Sequence, residues 1–347
     1  MKTLPNLTQL RFFLASLVIL FHIAEFCKNR GFPYYNDLAV FFKGTEAVYV
    51  FFTLSGFLII RNLIQEKTST DTIDLKRFYK KRILRIFPLY YLILIFGFIY
   101  YNYVIELFGY SNDNNYNLIQ GLSLGLTFFA NILATYKPGG ILEILWSIAI
   151  EEQFYLLIAP IFLIINKKNI LKFLFIFTVV YFIIYHIPFL DILRKYKMLF
   201  FYFSAGGFFS YISLYKAYKL NAVLKSIILV LFITSLTTNI FINNLNDLLY
   251  HSVCTIIFSS SIYVLSLQPY KILNNDWLKY LGKISYGIYM YHAIVFQIVG
   301  FLFLRLTYLD PVLFILLFYF SVFTITILIS AISYKYFETT FLKLKNK

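Results

Sequence analysis

Apolar stretches close to a bilayer's thickness recur along the whole of this 347-residue chain, and that repetition leaves few folds open. A helix rises about 1.5 Å per residue, so roughly 20 apolar residues cross the hydrocarbon core. Such runs fall at 10–27, 44–64, 87–105, 146–166, 170–188, 198–215, 222–242, 249–267, 285–305 and 311–335. Hydrophobic residues make up 60% of the chain and charged ones 14%, more apolar surface than a soluble core can bury. The sequence therefore predicts an all-α, polytopic membrane bundle of about ten helices in a lipid bilayer. A single domain over residues 1–347 is expected, with no soluble domain appended.

The net charge of +15 then reads as a record of orientation, not as a nucleic-acid footprint. One further apolar segment, 118–135, decides the topology. If it does not cross, an inside N-terminus puts most of the 31 Lys and Arg at the cytoplasmic face. That set includes Lys2, Arg11, the cluster from Arg61 to Arg85, Lys219 and the Lys335–Lys347 end. If it does cross, every later basic loop moves outside. Both termini are accordingly expected in the cytoplasm, with 118–135 a partly inserted outer segment. A single lysine precedes the first run and no small-residue cleavage site follows it, so the first span reads as uncleaved. Cys27 and Cys254 have neither metal nor redox spacing. The four histidines lack H-x-x-H or H-E-x-x-H spacing, so no metal and no bound cofactor are expected.

Ionisable groups within these runs are costly and mark candidate sites. The first span, from Leu10 to Phe26, carries Arg11, His22 and Glu25. Eleven residues are about three turns, so Arg11 and His22 share a face, about 16 Å apart along the axis. Glu25, three residues on, reaches the same side. The plainer account is an anchoring arginine and a hydrogen-bonded core histidine. In the second span Ser55-Gly56 permits close helix approach or a bend around a ligand. Glu46 near that span's outer end is expected to snorkel or face water. The loop from Ile60 to Tyr91 is the most basic stretch and should be helical in its second half, with Pro88 near the start of span three. There Arg82 and Arg85, at i,i+3, can hold phosphate oxygens bidentately or simply fix topology. In the fourth span Trp146 suits an interfacial anchor, while Ser147, Glu151 and Tyr155 form one stripe. These can bind a ligand or join helices. Ser285, Tyr286 and His292 in the ninth span need hydrogen-bond partners, most simply across a helix interface.

Taken together, Arg11-x10-His22, VFFTLSGFLI at Val50–Ile59, Arg82-x-x-Arg85-I-x-P-x-Tyr90, WSIAIEEQFYLLIAP at Trp146–Pro160 and SYGIYMYH at Ser285–His292 resemble the membrane-bound acyltransferase-3 family. The resemblance implies an O-acyltransferase of the bacterial cytoplasmic membrane. Its co-substrate would be cytoplasmic acyl-CoA, usually acetyl-CoA. Its acceptor would be a hydroxyl of a surface polysaccharide, peptidoglycan or glycolipid across the membrane. On this resemblance His22 is catalytic, and Arg11, Arg82 and Arg85 recognise the coenzyme A phosphates. Ser55, Trp146, Ser147, Glu151, Tyr155, Ser285, Tyr286 and His292 become pocket residues. Glu25 is placed to hold the His22 tautomer, as a third group orients a base. Direct transfer and a relay through an acyl-histidine both remain open. Tyr49 stands where the family often has an acid, and Thr339-Thr340 follow Glu338 where a proline is common. The competing class is a transporter or flippase for a polysaccharide or lipid-linked sugar, although no inverted repeat is visible.

Overall fold

The structure, a computed structural model, describes residues 4–107, 109, 115–216 and 220–346; Lys2, Lys219 and Lys347 of the charge pattern lie outside them. The principal helices are α1 (Leu7–Arg30), α2 (Gly44–Thr70), α3 (Leu75–Ile99) and α4 (Leu118–Leu126). They continue with α5 (Leu145–Ile164), α6 (Ile170–His186), α7 (Phe200–Tyr215) and α8 (Ala222–Thr237). The last four are α9 (Asp247–Leu267), α10 (Asp276–Lys283), α11 (Ser285–Phe303) and α12 (Pro311–Ser333).

Among the described residues, eight helical stretches are long and apolar enough to cross a membrane. The other two expected spans are present but altered. Residues 188–215 form a bent pair, Pro188–Lys195 and Phe200–Tyr215, at 80°, with Lys197 at φ 52 in the break. The run expected over 222–242 stops at Thr237, because Thr238 is extended and a separate turn, Ile240–Asn244, follows. At about 1.5 Å per residue, 16-residue α7 and α8 reach only ~24 Å. The segment 118–135 breaks into α4 and Ala130–Leu133 around Phe128 at φ 59, so no continuous helix crosses there.

Several contacts fix the helices that matter for the site. Asn6 pins the start of α1 to the end of α9, its amide donating to the Leu265 and Gln268 carbonyls at 2.7 and 2.8 Å. Short helix α10 lies across the same end, with Gly282 seated on the Thr8 carbonyl so closely that a Cβ would collide. α2 and α7 approach through glycine, as the spacing of Ser55-Gly56 allowed: Gly56 faces the Phe203 carbonyl and Gly206 the Thr53 carbonyl.

The second half of the basic loop is helical as expected, but it belongs to α3 itself, while its first residues, up to Thr70, continue α2. Asp74 caps that helix by accepting from the Arg77 N–H at 2.9 Å, so Pro88 lies inside it. Tyr286 donates to the Ile86 carbonyl at 2.9 Å, in the region where the missing proline N–H loosens the backbone ladder. Glu46 departs from expectation. It is buried and pairs with Lys43 at 2.8 Å, the side chains only 5% and 3% exposed, because a carboxylate turned into the bundle needs a partner.

Candidate functional site

A cavity of about 290 Å³ opens between α1, α2, α3, α5 and α11. Into it converge Arg11, Ser55, Arg82, Arg85, Ser147, Glu151, Tyr155, Ser285 and Tyr286, residues that the sequence scatters over 276 positions. Tyr155 donates to Glu151 at 3.0 Å, which leaves the Ser55 hydroxyl to donate to the Tyr155 oxygen. The stripe on α5 is thus tied to α2.

The arginines are treated differently. Among the described residues none of Arg11, Arg82 and Arg85 has an ion-pair partner within 4.0 Å. The buried Arg82 Nε has no hydrogen bond among the described residues. Guanidiniums converging without a paired carboxylate form a receptor for an anion with several oxygens. A second cavity of about 450 Å³ adjoins the first and shares Arg11, Arg85 and Tyr286 with it.

Towards the other end of α1 lies a third cavity, about 330 Å³, that holds His22, Glu25, Arg30, Glu143 and His292. His22 Nδ1 meets Glu25 Oε2 at 3.0 Å, with the side chains 28% and 53% exposed. A carboxylate accepting there holds the proton on Nδ1 and leaves Nε2 free to take one. The His22 ring stacks on His292 at 5.3 Å. His292 Nδ1 donates to the Tyr289 carbonyl, and its buried Nε2 has no partner among the described residues. Arg30 donates to Gln297 at 2.9 Å and lies over the Phe26 ring at 4.7 Å.

His22 and the arginines therefore occupy separate cavities, with Arg11 and His22 towards opposite ends of α1 and Arg82 and Arg85 on α3. Tyr289 lines the arginine cavity and its ring lies 5.7 Å from that of His292, its hydroxyl bonded to Ser147 at 2.6 Å and to the Ile144 carbonyl at 3.0 Å. Trp146 lines neither the arginine cavity nor the His22 cavity. Its ring packs edge-on against Phe52 at 5.8 Å and carries the Lys197 ammonium at 4.6 Å. Sequence reasoning missed Tyr289, although it falls four residues after Ser285 and three before His292 on one stripe. It also missed Glu143, which lies outside any motif, and it noted Glu338 only for the residues that follow it.

The chain is similar over most of its length to a "Putative acetyltransferase" of Acidianus two-tailed virus, 29% identical over 310 residues, which are 85% of this chain and 84% of that protein. A "Putative O-acetyltransferase" of Staphylococcus aureus (strain COL) is 24% identical across 99% of this chain, which spans 58% of that relative. An "Uncharacterized protein" of Haemophilus influenzae is 33% identical over 147 residues, 39% of this chain and 56% of that one. No solved structure matches the chain. The family model described as an acyltransferase domain, acyltransferase-3, matches residues 4–331. With buried arginines at one end of α1, a carboxylate-paired histidine towards the other and a match running through nearly all the spans, the chain belongs to the membrane-bound acyltransferase-3 family.

Proposed function

We propose that this protein transfers an acetyl group from acetyl-CoA at the arginine end of the bundle to an acceptor hydroxyl entering at the His22 end. The observation that carries this is the convergence of Arg11 with Arg82 and Arg85 of α3 in one cavity, without an ion-pair partner among the described residues, Arg11 lying on the same helix as the His22–Glu25 pair. The arginine end faces the cytoplasm, where the basic loops gather and where coenzyme A resides. Its phosphates are too polar to enter lipid and are held at the mouth. Its pantetheine arm, about twelve bonds long, equals roughly four extended residues and spans ~14 Å. Arg11 and His22 are ~16 Å apart along α1, so the arm is the right length to bring the thioester near the imidazole. Tyr289 lies across that path and must move aside for the arm to pass.

The transfer then needs little else. His22 Nε2 takes the acceptor's hydroxyl proton as the oxygen bonds to the thioester carbonyl carbon. The carbon–sulfur bond breaks, and the departing thiolate receives the proton back from His22, leaving an ester and free coenzyme A. Glu25 keeps the imidazole in the tautomer that can do this and stabilises the transient imidazolium. The acceptor class that fits an outward-opening pocket lined by Glu25, Glu143, Arg30 and Gln297 is a polyhydroxylated one: a surface polysaccharide, peptidoglycan or glycolipid. The test is acetyl-CoA binding to the purified protein, wild type against Arg82→Ala/Arg85→Ala. Saturable binding that the double variant loses supports the donor site; equal binding by both returns the arginines to a purely topological role.

A further inference from the structure

Outside the arginine cavity lies the second one, about 450 Å³ in volume. The two cavities adjoin at Arg11, Arg85 and Tyr286, which line both, the inner one walled by guanidiniums and the outer one also by ammonium groups. Lys279 and Lys283 line this vestibule from α10, four residues apart and so on one face. Lys345 lines it from the opposite wall, on the helical turn Leu344–Asn346 that packs back against α3.

The lining carries a single carboxylate, Glu338, whose buried Oε1 has no hydrogen bond among the described residues. Lys279 reaches only the fully exposed Asp276, at 3.8 Å. Lys283 and Lys345 have no ion pair among the described residues. Partial burial, with Arg85, Arg82 and Lys81 nearby, pushes the Lys345 ammonium down to about 8. That is the behaviour of a cation cluster lacking its counter-anion. Pro5, Pro269 and Tyr334 supply flat apolar wall between the charges.

Resting on the donor reading above, we infer that this vestibule holds the 3′-phosphoadenosine end of coenzyme A, with Lys279, Lys283 and Lys345 on the 3′-phosphate. The arm must enter the inner cavity, so the diphosphate sits at the junction, against Arg11 and Arg85. Whatever lies on its far side falls in the vestibule, and in coenzyme A that is the adenosine with its 3′-phosphate. A monoester carries about −1.5 to −2 charge at pH 7 and suits mobile point charges. The forked guanidiniums suit the diphosphate. The 3′-phosphate thereby becomes a specificity determinant.

The test compares acetyl-CoA with 3′-dephospho-acetyl-CoA, binding to the full chain in neutral-lipid nanodiscs. Wild type should bind the dephospho form at least about tenfold more weakly, a 1.4 kcal/mol difference. Lys279→Ala/Lys283→Ala/Lys345→Ala should bind both forms alike, at the wild-type level for the dephospho form, and that retained binding also reports folding. Lys345→Ala alone should narrow the ratio, which covers the case of a triple variant that fails to fold. Equal binding of both nucleotides by wild type, or full discrimination in the variants, overturns the inference and leaves the donor site standing. If wild type binds neither nucleotide, the donor reading falls and this inference with it.

Discussion

The two ends of α1 hold their charges in opposite ways. Around His22 several polar groups have partners: His22 meets Glu25 at 3.0 Å and Arg30 meets Gln297 at 2.9 Å. Around Arg11 the cations face one another across open space, and the carboxylate in the inner cavity, Glu151, is engaged by Tyr155. Paired groups are held in one orientation and the imidazole in one tautomer, which suits proton transfer. Unpaired, partly buried cations hold attraction in reserve for an anion that the chain does not supply. On the proposed reading, one end acts on a ligand and the other captures one.

The largest effect should come from breaking the acting end alone. His22→Ala is expected to lower transfer by about 10²–10⁴-fold while acetyl-CoA affinity stays within about twofold, measured as turnover beside equilibrium binding; a matching fall in both would erase the contrast between the ends. The converse variant, Arg82→Ala/Arg85→Ala, should weaken donor binding by roughly a hundredfold, since each charge-assisted hydrogen bond is worth about 1.5–3 kcal/mol. Arg82→Lys/Arg85→Lys should recover part of it, because charge returns without the planar fork. Glu25→Gln should reduce turnover about tenfold or more with donor affinity unchanged, since an amide still fills the space but no longer stabilises the imidazolium.

The smallest effect is one of pH. Lys345, pushed down to about 8, is cationic below that value and neutral above it. Arg82, Arg85 and Lys81 on α3, Lys279 and Lys283 on α10, and the Glu338 carboxylate surround it. A bound anion raises the value again. Donor affinity should therefore hold near pH 7 and fall a few-fold by about pH 9, and Lys345→Arg should flatten that slope because a guanidinium does not discharge in the range.

What could be read from the sequence divides along physical lines. Apolar run length reports the helices directly, so the bundle was legible, whereas 118–135 is apolar enough to pass for a span and only the distribution of basic residues spoke against its crossing. The exceptions, Lys197 at φ 52 and the stop at Thr237, depend on backbone turns that hydropathy does not register. Within a helix, fixed spacing placed Arg11 against His22 and Ser147 with Glu151 and Tyr155. Contacts between helices were a different matter. Nothing local distinguishes Glu46, held by Lys43 in the interior, from a carboxylate facing water. Nothing local announces that Glu338 and Lys345 fold back to wall the same cavity as Arg11. Trp146 has the composition of a site residue, yet it serves as a platform for Lys197.

Tyr289 has a further consequence, one for the cell rather than for the reaction. Cavities that approach each other from opposite ends of a membrane bundle are nearly a pore, and a leak of protons or ions would discharge the gradient the membrane exists to keep. We read the ring of Tyr289, fastened to Ser147 and the Ile144 carbonyl and 6.3 Å from the Phe51 ring, as an insulating plug between them. Vesicles containing Tyr289→Ala should dissipate an imposed pH gradient faster than those containing wild type or Tyr289→Phe. A catalyst that works through a membrane has also to remain part of its seal.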